Sequence, residues 1–410
     1  MLQEIEAQPF RHHAELSANF KCDTVVVGSG ITGLLLAKKL TDLGQRVVLL
    51  DENENLAYGA SIKNHGWLHK GTVHAVSVKD KDQAKSIVQK LIYGHEFISS
   101  YARECIENPF EPVYVCTQDE NFAQSAVELW QEFEVGYQQI SRKKFYELDS
   151  GINPQLPLSF FQSSDLRINI RILFQKLLTD IKSKGGSVLS GATYMHTEED
   201  KVSISSQGKG FDIQANTFVY CTGAKLGQSY ERLTGFNLNL TFWKSHLLLL
   251  PRFSPFSLVS LDRDGPIIIN HREASVVNKG YDEVQVSYPD YSVDPKQINL
   301  TVDSLANFYP AIKDACQNPN YIACIKPSVN IFDQTRHSVD SQVVEPVRGH
   351  YFVLPGKMTE APYVVDELIH TLYNRLDFSE IAQRPIDSSF DGGSTSRVTK
   401  LTNRTRYEYK

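Results

Sequence analysis

The chain has 410 residues, 41% hydrophobic and 22% charged, with a formal net charge of -6. That is the length for two domains with a deep core and the composition of an ordinary soluble globular protein. The acidic balance, with no basic block and no basic patch interleaved with aromatics, argues against nucleic acid as a main partner.

The opening residues, MLQEIEAQPFRHHAELSANF, mix acids and histidines without an apolar core and do not read as a secretory signal. The longest aliphatic cluster, Leu247 to Leu250, stops at Pro251, far too short to span a bilayer. Cys22, Cys105, Cys116, Cys221, Cys316 and Cys324 include no C-x-x-C pair, so neither a zinc site nor a disulfide framework is indicated, and no metal ligand set is assigned. Reduced thiols in the cytoplasm, with no integral membrane segment, are expected.

Thr24 to Val27 reads as a buried strand, Gly28-Ser-Gly30-Ile-Thr-Gly33 as a glycine turn, and the run with Leu34, Leu35, Leu36, Ala37 and Leu40 as a helix. Gly44 precedes a second strand, Val47 to Leu50, closed by Asp51. Gly28 permits a tight turn, Gly30 lets backbone approach a pyrophosphate, and Gly33 lets the helix pack on the sheet. Phosphates are favoured at the helix N-terminus, where unpaired N–H groups and the helix dipole meet negative charge. Asp51, a little over twenty residues on, is placed to accept hydrogen bonds from a ribose. The pattern predicts dinucleotide binding, and by itself does not separate NAD from FAD.

The stretch from Tyr58 to Gly71 is too irregular for a helix and too rich in special residues for an idle loop. Three-four spacing of apolar residues from Ala84 to Ile106 predicts one amphipathic helix over Lys79 to Asn108, ended before Pro109. Pro112 to Cys116 is strand-like, Asn121 to Phe133 is a second helix, and a polar hinge with Gly151, Pro154 and Pro157 follows. Asn169 to Lys184 is a further amphipathic helix ended by Gly185-Gly186, and Ser187 to Ser190 a strand. Val202 to Ser205 and Phe211 to Ile213 alternate like a hairpin, and Thr217 to Gly223 is a strand running into a glycine turn. Residues 240–300 look β-rich, with a hairpin expected between Val276-Val277 and Val284, Val286 around Asn278-Lys-Gly280. Tyr351 to Leu354, a glycine turn and a helix from about Pro362 to Leu376 return to α/β.

This order suggests an α/β fold: a discontinuous Rossmann-like nucleotide domain with a second, α+β domain on a mostly antiparallel sheet inserted into it. Residues 20–80, 160–240 and 330–380 are assigned to the first, 81–159 and 241–329 to the second, and 385–410 to a polar tail. Two segments tilt the cofactor towards flavin. Phe218 to Ala224 delivers small residues to a turn, as needed where backbone passes close to a cofactor. Tyr351 to Thr359, followed by a helix, sets a second helix N-terminus after a glycine turn, suited to the negative charge a reduced flavin carries near N1 and the C2 carbonyl.

On these residues the chain resembles the D-amino-acid-oxidase-like FAD-dependent oxidoreductases, the group with glycine and sarcosine oxidases, glycerol-3-phosphate dehydrogenase and L-2-hydroxyglutarate dehydrogenase. The resemblance is carried by Gly28, Gly30, Gly33, Ala37, Gly44 and Asp51; by Ala60-Ser61, Asn64, Gly66, Leu68, His69 and Gly71; by Thr222-Gly223-Ala224; and by Gly356 to Thr359. It spans roughly residues 22–376. It implies an extended FAD with pyrophosphate over Gly28, Gly30, Ile31, Thr32 and Gly33 and adenosine at Asp51 and Glu52. Ala60, Ser61, Asn64, His65, Gly66 and Leu68 would line it, with Thr222 and Gly223. Gly356, Lys357, Met358 and Thr359 would meet the ring near N1. Three departures stand out: Asp51 where glutamate is common, Cys221 for alanine, and Lys326-Pro327 where many members have Arg-Pro.

Flavin itself takes the hydride, so the protein must position a C–H, receive a proton and hold substrate charge. His69 and His65 lie in the flavin-facing loop, and an imidazole is a fit general base. His69 also resembles the histidine of the hydroxy-acid and glycerophosphate branches, and His65 is a candidate covalent flavin attachment point. His246 could reach the substrate side of the ring. Lys326, Arg336 and Arg348 are candidate anion clamps, Arg suiting bidentate carboxylate recognition and Lys a point-charge contact. The expected function is oxidation of a CH–OH or CH–NH carbon of a small, anionic 2-hydroxy acid or amino acid. A glycine- or sarcosine-type amine oxidase is the enzymatic alternative, a non-catalytic flavin-fold binding protein the other. The electron acceptor, whether oxygen, a quinone or a carrier protein, is left open.

Overall fold

The structure, a computed structural model, describes residues 19–375 apart from 199, 207, 239, 281–282, 314–315, 317–319, 330–340 and 355. Arg336 and the polar tail lie outside the described residues.

A six-stranded sheet runs in the order Gln342–Val347, His350–Leu354, Thr217–Tyr220, Thr24–Val27, Val47–Leu50, Ser187–Leu189. All neighbours are parallel except the first pair. Strands Thr24–Val27, Val47–Leu50, Thr217–Tyr220 and His350–Leu354 are buried along their whole length because both faces are covered, while the edge strand Gln342–Val347 is more exposed. Val26, Leu49, Val219 and Val353 pack under helices Ile31–Asp42, Ile170–Ser183 and Ala361–Arg375. Val25, Val27, Val48, Leu50, Phe218 and Phe352 face the opposite core, shared with the four-stranded sheet that holds the hairpin Lys201–Ser206 and Lys209–Gln214.

The second sheet has nine strands, mostly antiparallel, and is likewise covered on both faces. Tyr114, Phe160, Leu248 and Ile268 share a core with Ile298, Leu305 and Phe308 of helix Pro295–Phe308. Val113, Val115, Phe161 and Ile269 share another with Ala84, Val88 and Trp130. The fold is therefore a Rossmann-like parallel unit, interrupted in sequence, joined to an α+β unit on a largely antiparallel sheet. Among the described residues no helix is long and apolar enough to cross a membrane.

Two local expectations are corrected. The helix expected over residues 79–108 runs Lys81–Tyr101, capped by Asp80, whose carboxylate accepts the Gln83 N–H; a 3-10 turn Arg103–Cys105 follows. The apolar spacing continues past the helix because Ala102 and Cys105 stay buried in the same core as Ile98. Hydrophobic period records burial, not backbone bonding. The expected hairpin around residues 278–280 does not form: Ala274–Lys279 pairs with Pro266–Asn270 and with Leu248 to Pro251, while Val284–Val286 pairs with Phe242 to Lys244.

Candidate active site

The glycine turn is built by close approach. Gly28 has φ +102, and a Cβ there would lie 2.5 Å from the Cys221 carbonyl oxygen; one on Gly33 would lie 1.9 Å from the Gly28 oxygen. Gly30 differs, since its Cβ would meet only the Ser61 hydroxyl, at 3.2 Å, beside open space. Gly30 also starts the helix without a side-chain cap, and the Ile31 N–H donates to Ser61 Oγ at 3.1 Å. An uncapped helix start beside a glycine facing a cavity is a cradle that suits a pyrophosphate.

Asp51 is buried and braces this turn. Its Oδ2 accepts the Ser29 N–H at 2.8 Å and the Ser29 hydroxyl, and its Oδ1 accepts the Asn53 N–H at 2.9 Å. Ser29, which carries no signal in the sequence, in turn accepts the Ala57 N–H at 2.7 Å. Asn64 closes the next loop: its amide donates to the Ala60 and Ser61 carbonyls, and its Oδ1 accepts the Gly66 N–H at 2.8 Å.

A cavity of about 750 Å³ runs between these segments. Gly28, Gly30, Ile31, Thr32, Asp51 and Glu52 line it, as do Ala60, Ser61, Asn64 and His65 of the next loop. Thr222, Gly223, His69, Lys326, Gly356, Lys357 and Met358 line it too. Gly33, Gly66, Leu68 and Thr359, expected along the cofactor, do not line the cavity.

His69 is half-buried against the cavity, its ring 4.0 Å from that of Trp67 and edge-on to His74 at 4.8 Å. Burial, then the charges of His74 and Lys357, hold its pKa well below 6.5. Among the described residues its ring nitrogens have no hydrogen-bond partner, while its backbone N–H donates to Thr359 Oγ1 at 3.3 Å. His65 is pushed down to about 3, first by burial and then by Lys326.

The anion-clamp candidates separate. Lys326 faces the cavity but donates to Glu283 Oε1 at 2.6 Å and to Ser245 Oγ at 3.0 Å, so its charge is already matched. Arg348 is exposed in the turn before His350 and does not reach the cavity. His246 is buried on the face of its strand opposite Ser245 and Leu247, which do line the cavity. Lys63, not foreseen, lines the cavity with its ammonium 4.6 Å from the Tyr58 ring and 4.3 Å from the Tyr291 ring. Its only signal was a lysine in the irregular loop that also carries Asn64 and His65; Tyr291 is over two hundred residues away and gives none. Glu52, also on the cavity wall, forms an ion pair with Lys225.

The last wall is the turn before helix Ala361–Arg375. Glu360, buried beneath it, accepts the Ser341 hydroxyl at 2.9 Å and the Lys357 N–H at 3.3 Å. Burial pushes its pKa up to about 7. A Cβ on Gly356 would lie 1.7 Å from Ser341 Oγ, which is why glycine stands there.

Against known proteins, the sequence profile of the family described as FAD dependent oxidoreductase (DAO) matches residues 23–353. The chain belongs to the DAO family of FAD-dependent oxidoreductases. It is thus an enzyme of an FAD-dependent family, and the cradle at Gly30 and the cavity fit that cofactor. It is 23% identical over 310 residues to the A1 component of anaerobic glycerol-3-phosphate dehydrogenase from Haloferax volcanii, covering 71% of this chain and 51% of that protein. It is 26% identical over 136 residues to the corresponding component of the anaerobic glycerol-3-phosphate dehydrogenase of Escherichia coli K12, covering 33% of this chain and 24% of that one. The chain thus spans about half the length, or less, of these relatives. Among solved structures, glycine oxidase from Geobacillus kaustophilus superposes with a TM-score of 0.71 at 14% identity, covering 87% of this chain and 96% of that one. L-alpha-glycerophosphate oxidase from Mycoplasma pneumoniae, solved with FAD bound, gives 0.68 at 14%, covering 86% and 95%.

Proposed function

We propose that this DAO-family protein oxidises a CH–OH carbon of a small anionic substrate, a 2-hydroxy acid in the first instance, with His69 as the base. One observation carries the reading: a neutral imidazole on the cavity wall whose ring nitrogens have no partner among the described residues. Bound FAD supplies the hydride acceptor. The residues that would hold it are Gly28, Gly30, Ile31 and Thr32 at the pyrophosphate, Asp51 and Glu52 at the adenosine, and Ala60, Ser61, Asn64 and His65 along its length. Gly356, Lys357 and Met358 would meet the ring.

His69 takes the hydroxyl proton as the C–H bond breaks, and the Trp67 ring against it limits water on that side. Lys63 and Lys357, both on the cavity wall, offset the substrate's negative charge; Lys326, matched by Glu283, supplies a fixed dipole rather than a free cation. An amino acid is the alternative substrate, which the same base would serve by deprotonating an ammonium. Names of relatives add glycerol 3-phosphate as a third candidate. The six free cysteines support a cytoplasmic setting. The domain division proposed from the sequence is supported by the six-stranded and nine-stranded sheets, whose strands fall on its two sides apart from Ser159–Ser163, which joins the nine-stranded sheet.

The test is an anaerobic panel of 2-hydroxy acids, amino acids, sarcosine and glycerol 3-phosphate on purified yellow protein, with bleaching of the flavin band as readout. Bleaching by a hydroxy acid that is lost in His69→Gln supports the reading. Bleaching by amines alone moves the function to amine oxidation. A protein that takes up FAD and is bleached by none of these counts as the non-catalytic alternative.

A further inference from the structure

The loop that carries His65 is held from the other sheet. His271 follows strand Pro266–Asn270, and its ring spans two oxygens: Nδ1 is 2.6 Å from Glu107 Oε2 and Nε2 is 2.8 Å from the His65 carbonyl oxygen. A carbonyl only accepts, so Nε2 carries a proton and donates it to the His65 backbone. The fit is close. Gly66, at φ +65, has no space for a side chain, because a Cβ there would lie 2.6 Å from His271 Cε1 and 2.7 Å from the Ile168 carbonyl oxygen.

The same sheet holds the His65 ring. Its Nε2 is 2.8 Å from Asn278 Oδ1, and the Asn278 amide nitrogen donates to the Lys279 carbonyl at 3.0 Å. That second bond fixes which way the amide points, so the group facing His65 is the oxygen and His65 Nε2 must donate. With the ring neutral in this buried setting, Nδ1 is left as its basic nitrogen.

We propose that Asn278, His271 and Glu107 form a positioning set that presents His65 to the cavity as one tautomer, Nε2 protonated and Nδ1 accepting. His65 then offers an acceptor for a hydroxyl or ammonium group in the cavity, beside the base His69. The inference rests on reading residues 57–71 as the cofactor-facing loop. The antiparallel sheet, which also carries Ser245 and Lys326 into the cavity, thereby sets the protonation geometry of a loop belonging to the nucleotide unit. Since the three residues lie far from His65 in sequence, the tautomer forms only once the two sheets have docked.

The experiment is nitrogen-15 NMR of histidine-labelled full chain without added cofactor, with the His65 signal assigned by its loss in His65→Gln. The Nε2–H tautomer is expected, and Asn278→Leu should give a mixture of both. In parallel, FAD affinity is measured by fluorescence quenching. His271→Leu, which removes the donor, should weaken it about tenfold, roughly one hydrogen bond to a buried carbonyl. His271→Gln, whose amide can reach the same oxygen, should stay within about threefold of the parent. An Nδ1–H tautomer in the parent, an unchanged tautomer in Asn278→Leu, or unaltered FAD binding by His271→Leu overturns the proposal. If His271→Leu does not fold, the His271→Gln affinity and the Asn278→Leu tautomer decide it. A parent chain that takes up no FAD strikes the proposed function instead, and the tautomer measurement still reads the positioning set.

Discussion

The backbone N–H of His69 donates to the side-chain hydroxyl of Thr359, 290 residues further along the chain, at 3.3 Å. This bond ties the loop carrying the proposed base to the turn that closes the far wall of the cavity. Thr359 is fully buried, and Gly94 lies so close that a Cβ on it would come within 1.6 Å of the Thr359 carbonyl oxygen. Thr359→Val, which keeps the shape and loses the acceptor, should cost about 1–2 kcal/mol of stability, read as a drop in Tm, while Thr359→Ser should not. A Tm unchanged in the valine variant would show that the bond contributes nothing.

The pH dependence of flavin reduction follows from the setting of His69. A base works only when unprotonated, so its rate falls on the acid side of its pKa. Burial holds that pKa well below 6.5, so the anaerobic reduction rate should stay level as pH falls through 6.5 and decline only further down. His69→Gln should lower the rate by about 10²–10⁴-fold at neutral pH while FAD remains bound. An acid limb centred near 6.5 in the parent would point to a different, more exposed base.

The glycines of the first turn should separate by function. Gly30→Ala puts a methyl beside only the Ser61 hydroxyl, so the chain should fold with a near-parent Tm and lose FAD affinity. Gly33→Ala drives a methyl into the Gly28 carbonyl and should reduce soluble, folded protein. Thermal melts and FAD titration of the two variants check this; a Gly30→Ala protein that retains FAD at parent affinity would rule out the cradle.

Glu360 gives a prediction about stability alone. Its folded pKa, about 7, lies above the ordinary 4.5, so the fold holds the proton more tightly than the unfolded chain does. Its contribution is full below pH 4.5, falls as pH rises, and levels off past about pH 7. Glu360→Gln removes this dependence. Measured by urea unfolding, parent stability relative to the variant should decline by about 3 kcal/mol between pH 4.5 and 8. A difference that does not change with pH would mean that Glu360 has the same pKa in the folded and the unfolded chain.

The first βαβ unit was legible because each glycine there answers a local steric demand that sequence spacing records. So was the helix beginning at Asn169, whose side chain accepts the Arg171 and Ile172 N–H groups. Helix Pro295–Phe308 carried its own start signal, Asp294 before a proline at the first turn, yet lay inside a stretch whose neighbours read as strand. The short helix Arg142–Leu148 buries only Phe145 and so leaves no periodic trace. In the site, the loop residues near Asn64 could be found from sequence because their bonds are local. Glu283 beside Lys326 and His271 behind Gly66 could not, since strand pairing between distant segments brings them there. For His246 the strand was foreseen but not the phase of its alternation, and one residue's shift puts a side chain on the other face.

In the parallel sheet, strand Thr217–Tyr220 sits between Thr24–Val27 and His350–Leu354. During synthesis the nucleotide turn and its helix emerge early, but this neighbour leaves the ribosome only after residue 350. Until then the strand presents an unpaired edge to the cell, a template for wrong pairing and aggregation. Deletions from the C-terminal side that remove residues 350–354 should therefore yield insoluble protein, even though every glycine of the opening turn is intact.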